Sequence, residues 1–251
     1  MLRRFTCHDY ATHGRHVAAS SRLYRGFHAP DGTRPKEFVT TGYALSLHPD
    51  RERIVPATVG SVKLLEKHVT AVYRAATPAE RVEGRSWYAT ARQVAESLDP
   101  ADPARAAAVL AVLSPRLSWE RNVEAATDAY AGRPTRTLRM NEDKARRIIA
   151  GETPDAVVRG PKVRAFWAAI VDPDNTEAIV IDRHALDIAA GTVLDDEQRG
   201  KLLGRKGAYG EVAALYRSAA RRLSKEFGTD LTAVDVQATT WVSWRRGKRA
   251  N

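Results

Sequence analysis

The sequence predicts an all-α fold. Three observations carry that prediction. Apolar residues recur at spacings of three and four from Val59 onward, helix caps punctuate the chain at short intervals, and no clear strand pattern follows residue 55. The 251 residues are 43% hydrophobic, enough for one sizeable core. Residues 1–55 differ from the rest. They hold His8, His13, His16, His28 and His48, five of the seven histidines, without a sustained helical period. We expect an irregular N-terminal arm over residues 1–55 and a helical domain over residues 56–251.

Each element has its own reason. Val62, Leu65, Val69 and Val72 share one helical face. Thr77-Pro78 opens a helix, with Thr77 as N-cap and Pro78 in the first position. "SWYATARQVAESL" follows, and Asp99-Pro100 and Asp102-Pro103 are stop-and-start signals. "PARAAAVLAVLSP" is apolar on every side, which places it at the centre of the core. "RLSWERNVEAATDAYAG" is a helix ending at Gly132. "NEDKARRIIAG" is a short basic helix, with Asn141 as its cap and Gly151 at its end. "TPDAVVRGPKVRAFWAAIV" reads as helix, tight turn, helix. "IDRHALDIAAG", "KGAYGEVAALYRSAARRLSKEFG" and "TAVDVQATTWVSWRRGKRAN" complete a set of roughly eight to ten helices joined by short loops.

Composition narrows the function. A net charge of +10 points to a polyanionic partner, nucleic acid first. Cys7 is the only cysteine, so no intramolecular disulfide and no cysteine-built zinc or iron–sulfur site can form. No apolar run approaches the ~18–20 residues of a membrane span, and the start lacks the apolar stretch of a signal peptide. The expectation is a cytoplasmic protein without membrane contact. The arm's histidines show no ligand spacing on a helix, and neither a metal nor a cofactor is expected.

Three segments carry chemistry. In "VVRGPKVRAF" a helix runs into Arg159-Gly160-Pro161 and a second helix begins near Lys162. Backbone N–H groups and the positive dipole end at such a start suit a phosphate, with Lys162 and Arg164 beside it. In "IVIDRHALDIAAG" an acid, Asp182, ends an apolar run at the mouth of a helix, followed by His184. In "AVLAVLSPRLSWERNVEAA" an apolar helix breaks at Ser114-Pro115 into a turn with Arg116, Trp119, Arg121 and Asn122.

Together, and in this order, these segments resemble the helix–hairpin–helix DNA glycosylase superfamily. "RGPKV" resembles its hairpin turn, "VIDRHALDIAAG" the segment bearing its catalytic acid, and "NEDKARRI" the basic helix before the hairpin. The likeness spans about residues 60 to 245. It implies a helical glycosylase-like bundle that extrudes a nucleotide from duplex DNA and works at its glycosidic carbon. Asp182 falls on the catalytic acid. It would stabilise the positive charge that develops on the sugar, or orient or deprotonate a nucleophile. Lys162 falls on the position of a nucleophilic lysine in bifunctional members; its other reading is a phosphate contact. Gly160, Pro161, Arg164 and Lys144 are DNA-binding candidates. Arg116, Trp119, Arg121 and Asn122 belong to the turn lying over the base. Trp119 either stacks on a base or fills the core, and Asn122 either reads a base edge or caps its helix. His184 either supports the site or packs locally. Phe166, Trp167 and Trp241 read as core.

The sequence also departs from the superfamily. Its hairpin usually carries two glycines, and here Val158 replaces the first. "LSPRLSWERN" and "GPKVRAFW" resemble a divergent bacteriophage branch linked to hypermodified thymine, which would place the protein in the host-cell cytoplasm. There the fold is thought to join an amine or amino acid to an activated 5-substituted pyrimidine. The sequence leaves three readings open: a DNA glycosylase, a base-modifying transferase with a small-molecule amine donor, and a non-catalytic DNA-binding protein.

Overall fold

A computed structural model describes residues 58–59 and 62–250, with side chains as far as residue 247. The predicted N-terminal arm, its five histidines and Cys7 lie outside the described residues. The described chain is all-α: eleven helices follow one small antiparallel pairing, Thr58–Val59 (β1) with Val62–Lys63 (β2). Val62 was expected on a helix. It sits in β2 instead, and the first helix, α1, spans Glu66–Ala75. Leu64 and Val69 are buried from this region, while Leu65 is only half-buried at the N-cap.

Local signals set most boundaries. α2 (Pro78–Leu98) begins with a capping box: the Thr77 hydroxyl accepts from the Glu80 N–H while the Glu80 carboxylate accepts from the Thr77 N–H. Asp102 caps α3 (Pro103–Leu113) through the Arg105 N–H, and Ser118 caps α4 (Trp119–Tyr130) through the Arg121 N–H. The eight consecutive residues Ala106–Leu113 are all buried, so α3 is the central rod of the core. α5 (Arg139–Ile149) corrects the expected cap. It begins three residues earlier than predicted, at a Leu138 N-cap, and Asn141 lies buried inside its first turn.

The expected helix–turn–helix is present as α6 (Pro154–Val157), a turn over residues 158–160, and α7 (Pro161–Val171). α8 (Arg183–Ala190), α9 (Asp196–Gly204), α10 (Ala208–Phe227) and α11 (Ala233–Ala250) follow. α9 has no counterpart among the predicted helices. Its Asp195–Gln198 capping box explains why it forms.

Packing places the site. α3 is flanked by α2, α4, α5 and α7, and α11 lies along α2. Gly84 permits that contact: a Cβ there would sit 2.4 Å from the Thr239 Cα. Tyr88 then donates to Gln237 Oε1 at 2.7 Å across the buried α2–α11 interface. No helix among the described residues is long and apolar enough to cross a membrane.

Candidate functional site

The site is built around the start of α8. Residues 178–181 form a buried irregular segment, and buried backbone polar groups need partners. Tyr209 of α10 supplies two: its hydroxyl donates to the Ile179 carbonyl at 2.9 Å and accepts from the Ile181 N–H at 3.0 Å. The chain therefore reaches Asp182 in a fixed direction. Asp182 is the N-cap of α8. Its Oδ1 accepts from the Ala185 N–H at 2.8 Å, and its Oδ2 accepts from the Trp241 indole N–H at 3.2 Å. Both carboxylate oxygens thus have neutral donors, at the positive end of the helix dipole.

Lys162 approaches from α7. Gly160, at φ 81°, takes the sharp turn that starts this helix, a conformation most side chains resist. No side chain caps α7, and Pro161 stands in its first position without an N–H. Lys162 is half-buried, and its Nζ donates to Ser114 Oγ at 3.0 Å. Ser114 Oγ in turn donates to the Ala111 carbonyl at 2.9 Å, at the end of α3. The Lys162 Nζ also lies 5.4 Å from the Phe166 ring centroid. Burial pulls the Lys162 ammonium below the usual lysine value. The Asp182 carboxylate draws it back up, and Arg183 lowers it further. Asp182 and Lys162 therefore share one electrostatic environment.

Aromatic side chains wall this region. Trp87 of α2 is the hub, with its ring centroid 5.1 Å from Trp119, 5.4 Å from Trp241 and 5.9 Å from Phe166. Arg245 stacks over the Trp241 ring at 4.5 Å. Three tyrosines stand behind Asp182. Burial raises the Tyr88 phenol well above its ordinary value, pushes Tyr209 up to about 12, and raises Tyr216, and in each case the Asp182 charge adds to the rise. All three are neutral at physiological pH.

The other predicted residues divide. Gly160, Pro161 and Arg164 lie exposed at the start of α7. Arg116 is exposed with a left-handed backbone, φ 67°, a conformation costing a non-glycine residue about 1–2 kcal/mol. Trp119 is half-buried on the aromatic wall, and Arg121 pairs with Glu124 along α4. Lys144 is half-buried on α5, and His184 is half-buried in the first turn of α8. Asn122 is corrected. It is 2% exposed, its amide donates to the Leu110 carbonyl of α3 at 3.1 Å, and Ser118 caps α4, so Asn122 does not cap its own helix. Trp241 is corrected too: its indole holds the acid rather than merely filling the core. Trp87 and Tyr209 join the site without a signal in the sequence, and Ser114 is more than a turn former. Their roles depend on neighbours 28 or more positions away, which no local pattern reports.

An open groove of about 870 Å³ lies elsewhere, along α10 and the start of α11, and contains none of these residues. Its Arg217 and Arg222 are tied to Glu177 and Glu66. That surface is held by ion pairs. The Asp182 region is held by neutral donors and aromatic rings, and its mixture of acid, amine and hydroxyl makes it the chemically equipped part of the domain.

Fold and site together define an all-helical domain with a capping carboxylate set beside a half-buried lysine. The chain belongs to DUF7178, a family of unknown function, whose model matches residues 53–248. No curated protein and no solved structure matches it.

Proposed function

We propose that the protein is a DNA-binding enzyme acting on a nucleotide extruded from the duplex, with N-glycosidic cleavage as its reaction. The observation that carries this reading is the placement of the Asp182 carboxylate in the field of the Lys162 ammonium, beside the uncapped start of α7. The resemblance to helix–hairpin–helix DNA glycosylases supports it. A phosphate of the bent strand would be held by the first amides of α7 with Arg164. The extruded base would stack against the Trp119 side of the aromatic wall. In the reaction a water oxygen bonds to the sugar C1′, the C1′–N bond breaks, and its electron pair leaves with the base. Asp182 stabilises the cationic sugar and takes the water proton.

One observation favours a second reaction. Burial lowers the Lys162 amine, which suits it to take a proton from an incoming amine donor. In a transferase, the donor nitrogen bonds to the methylene at C5 of the pyrimidine. The carbon–oxygen bond to a phosphoryl leaving group breaks, and the group departs with the electron pair.

A single experiment separates the readings. Wild type and Asp182→Asn are incubated with duplexes carrying thymine, uracil, 5-hydroxymethyluracil or phosphorylated 5-hydroxymethyluracil, with and without an amine donor. Mass spectrometry reads the digest. Free base released by wild type alone supports the glycosylase. A mass gain on the pyrimidine without abasic sites supports the transferase. Equal DNA binding by both proteins with neither product leaves a binding protein and removes the catalytic claim.

A further inference from the structure

Asp182 and Lys162 sense each other, yet among the described residues none of the ion pairs joins them. That is unusual for a carboxylate and an ammonium in a partly dry site, where attraction strengthens as water is excluded. Each group instead has its own neutral partner. Ser114 Oγ takes the Lys162 ammonium at 3.0 Å and is itself fixed by the Ala111 carbonyl at the end of the buried α3. The Trp241 indole and the Ala185 amide take the two Asp182 oxygens. Trp241 has little freedom, because Arg245 covers one face of its ring and Trp87 meets it edge-on at an interplanar angle of 70°.

We infer that Ser114 and Trp241 are positioning residues: each engages one member of the pair through a neutral hydrogen bond and so keeps Lys162 and Asp182 from closing into an ion pair, leaving both able to meet a neutral reactant. This rests on the reading of Asp182 and Lys162 as the reacting pair. A closed ion pair would occupy the lone pair that must meet a sugar carbon or a water proton. It would also hold the lysine protonated. Two hydrogen bonds from neutral groups aim the carboxylate without that closure. Charged and titratable groups in the field of the pair include Arg183 at the helix start and the phenols of Tyr88, Tyr209 and Tyr216, with His184 in the same first turn of α8. None of the phenols carries charge at neutral pH, and Arg183 is exposed to solvent.

The test uses the full chain, with ¹³C and ¹⁵N resonances of the Lys162 side chain and the Asp182 carboxyl followed against pH. Ser114→Ala and Trp241→Phe each free one partner while keeping most of the volume. With the restraint gone the two charges close on each other: the Lys162 midpoint rises and the Asp182 midpoint falls, with thermal stability held or increased. Ser114→Thr restores the hydroxyl and returns both midpoints towards wild type. If Ser114→Ala leaves the Lys162 midpoint unchanged or lowers it, the serine is not a spacer and the inference is overturned. The same variants, assayed on the DNA product identified above, lose about 10²-fold in rate, the scale of a misplaced reacting group. A wild type inactive on every DNA leaves the midpoints readable, so failure of the functional reading and failure of the spacer are distinct results.

Discussion

Two acids on one short helix meet opposite fates. Asp182 caps the start of α8 with neutral donors only, half-buried and in the field of an amine it does not bind. Asp187, five residues on, is 0% exposed and grips Arg199 of α9, whose Nη2 lies 2.9 Å from Oδ1 and 3.1 Å from Oδ2. The same oxygen, Oδ1, accepts the Leu194 N–H at 3.1 Å. A fully buried charge is stable only when compensated by charge and hydrogen bonds. Asp187 is therefore committed to holding α8 against α9. Asp182 is held by neutral donors alone, the arrangement the proposed catalysis by a carboxylate would use. Sequence type does not distinguish the two; surroundings do.

The sharpest way to break the comparison is to remove one charge at a time. Asp182→Asn keeps an N-capping side chain, so stability should hardly change. On the proposed reaction, the rate should fall by about 10²- to 10⁴-fold, the range for a positioned acid or base. Base release or product mass, set beside a thermal melt, checks both halves. Full activity in this variant would place Asp182 with Asp187 as a structural residue. Asp187→Asn should do the reverse. Arg199 is half-buried and keeps Asp196 but loses its buried partner, which costs about 3 kcal/mol, the low end for a broken buried pair, read by urea unfolding. Replacing both, as Asp187→Leu with Arg199→Met, should recover much of that loss. If the double variant is as unstable as the single, the pair contributes more than charge compensation.

A smaller effect tests the far end of the same helix. Gly191 closes α8 at φ 71°, and a Cβ there would sit 2.8 Å from Nδ1 of His68, which itself bonds the Ala189 carbonyl at 2.9 Å. Gly191→Ala should cost about 1–2 kcal/mol from the left-handed backbone, with crowding of His68 added. Differential scanning calorimetry measures the loss. The rate per folded molecule should stay at the wild-type value, because Asp182 sits at the opposite end.

How far the sequence reached follows the same division. Contacts within one turn of helix were legible. Thr77 read as an N-cap, Asp102-Pro103 as a helix start and Asp182 as the mouth of a helix, because a capping side chain bonds an amide three residues away. The buried α3 was legible because alanine and aliphatic residues fill every face. The aim of Asp182 was not, because Trp241 lies 59 positions beyond it and an indole in an apolar run looks like core. Ser114 read as a turn former because its partner is 48 positions away on α7. Asn122 misled for the same reason: an amide in a polar turn looks exposed, and only packing of α4 on α3 turns it inward to Leu110. That Asp182 and Lys162 were candidates for one site came through resemblance, not local pattern.

The smallest effect concerns Lys162 itself. Its ammonium titrates below the ordinary lysine value in the folded protein, chiefly through burial. The unfolded chain therefore holds that proton more tightly than the native state does. Below the folded value both states are protonated and the destabilisation is complete. As pH rises from the folded value towards the unfolded one, ~10.4, the unfolded state binds more protons than the native state, and stability increases. Above both values the lysine is neutral in either state and its contribution vanishes. Lys162→Met removes this term. At neutral pH the variant should be the more stable protein, and the difference should shrink as pH climbs through that alkaline window. Subtracting the two stability curves cancels the titration of Tyr88, Tyr209 and Tyr216, which are present in both. A variant less stable than wild type at neutral pH would show that Lys162 is held in place for the fold. A more stable one would show that the domain keeps a destabilising amine beside Asp182, as a functional site does and a merely structural contact such as Asp187–Arg199 does not.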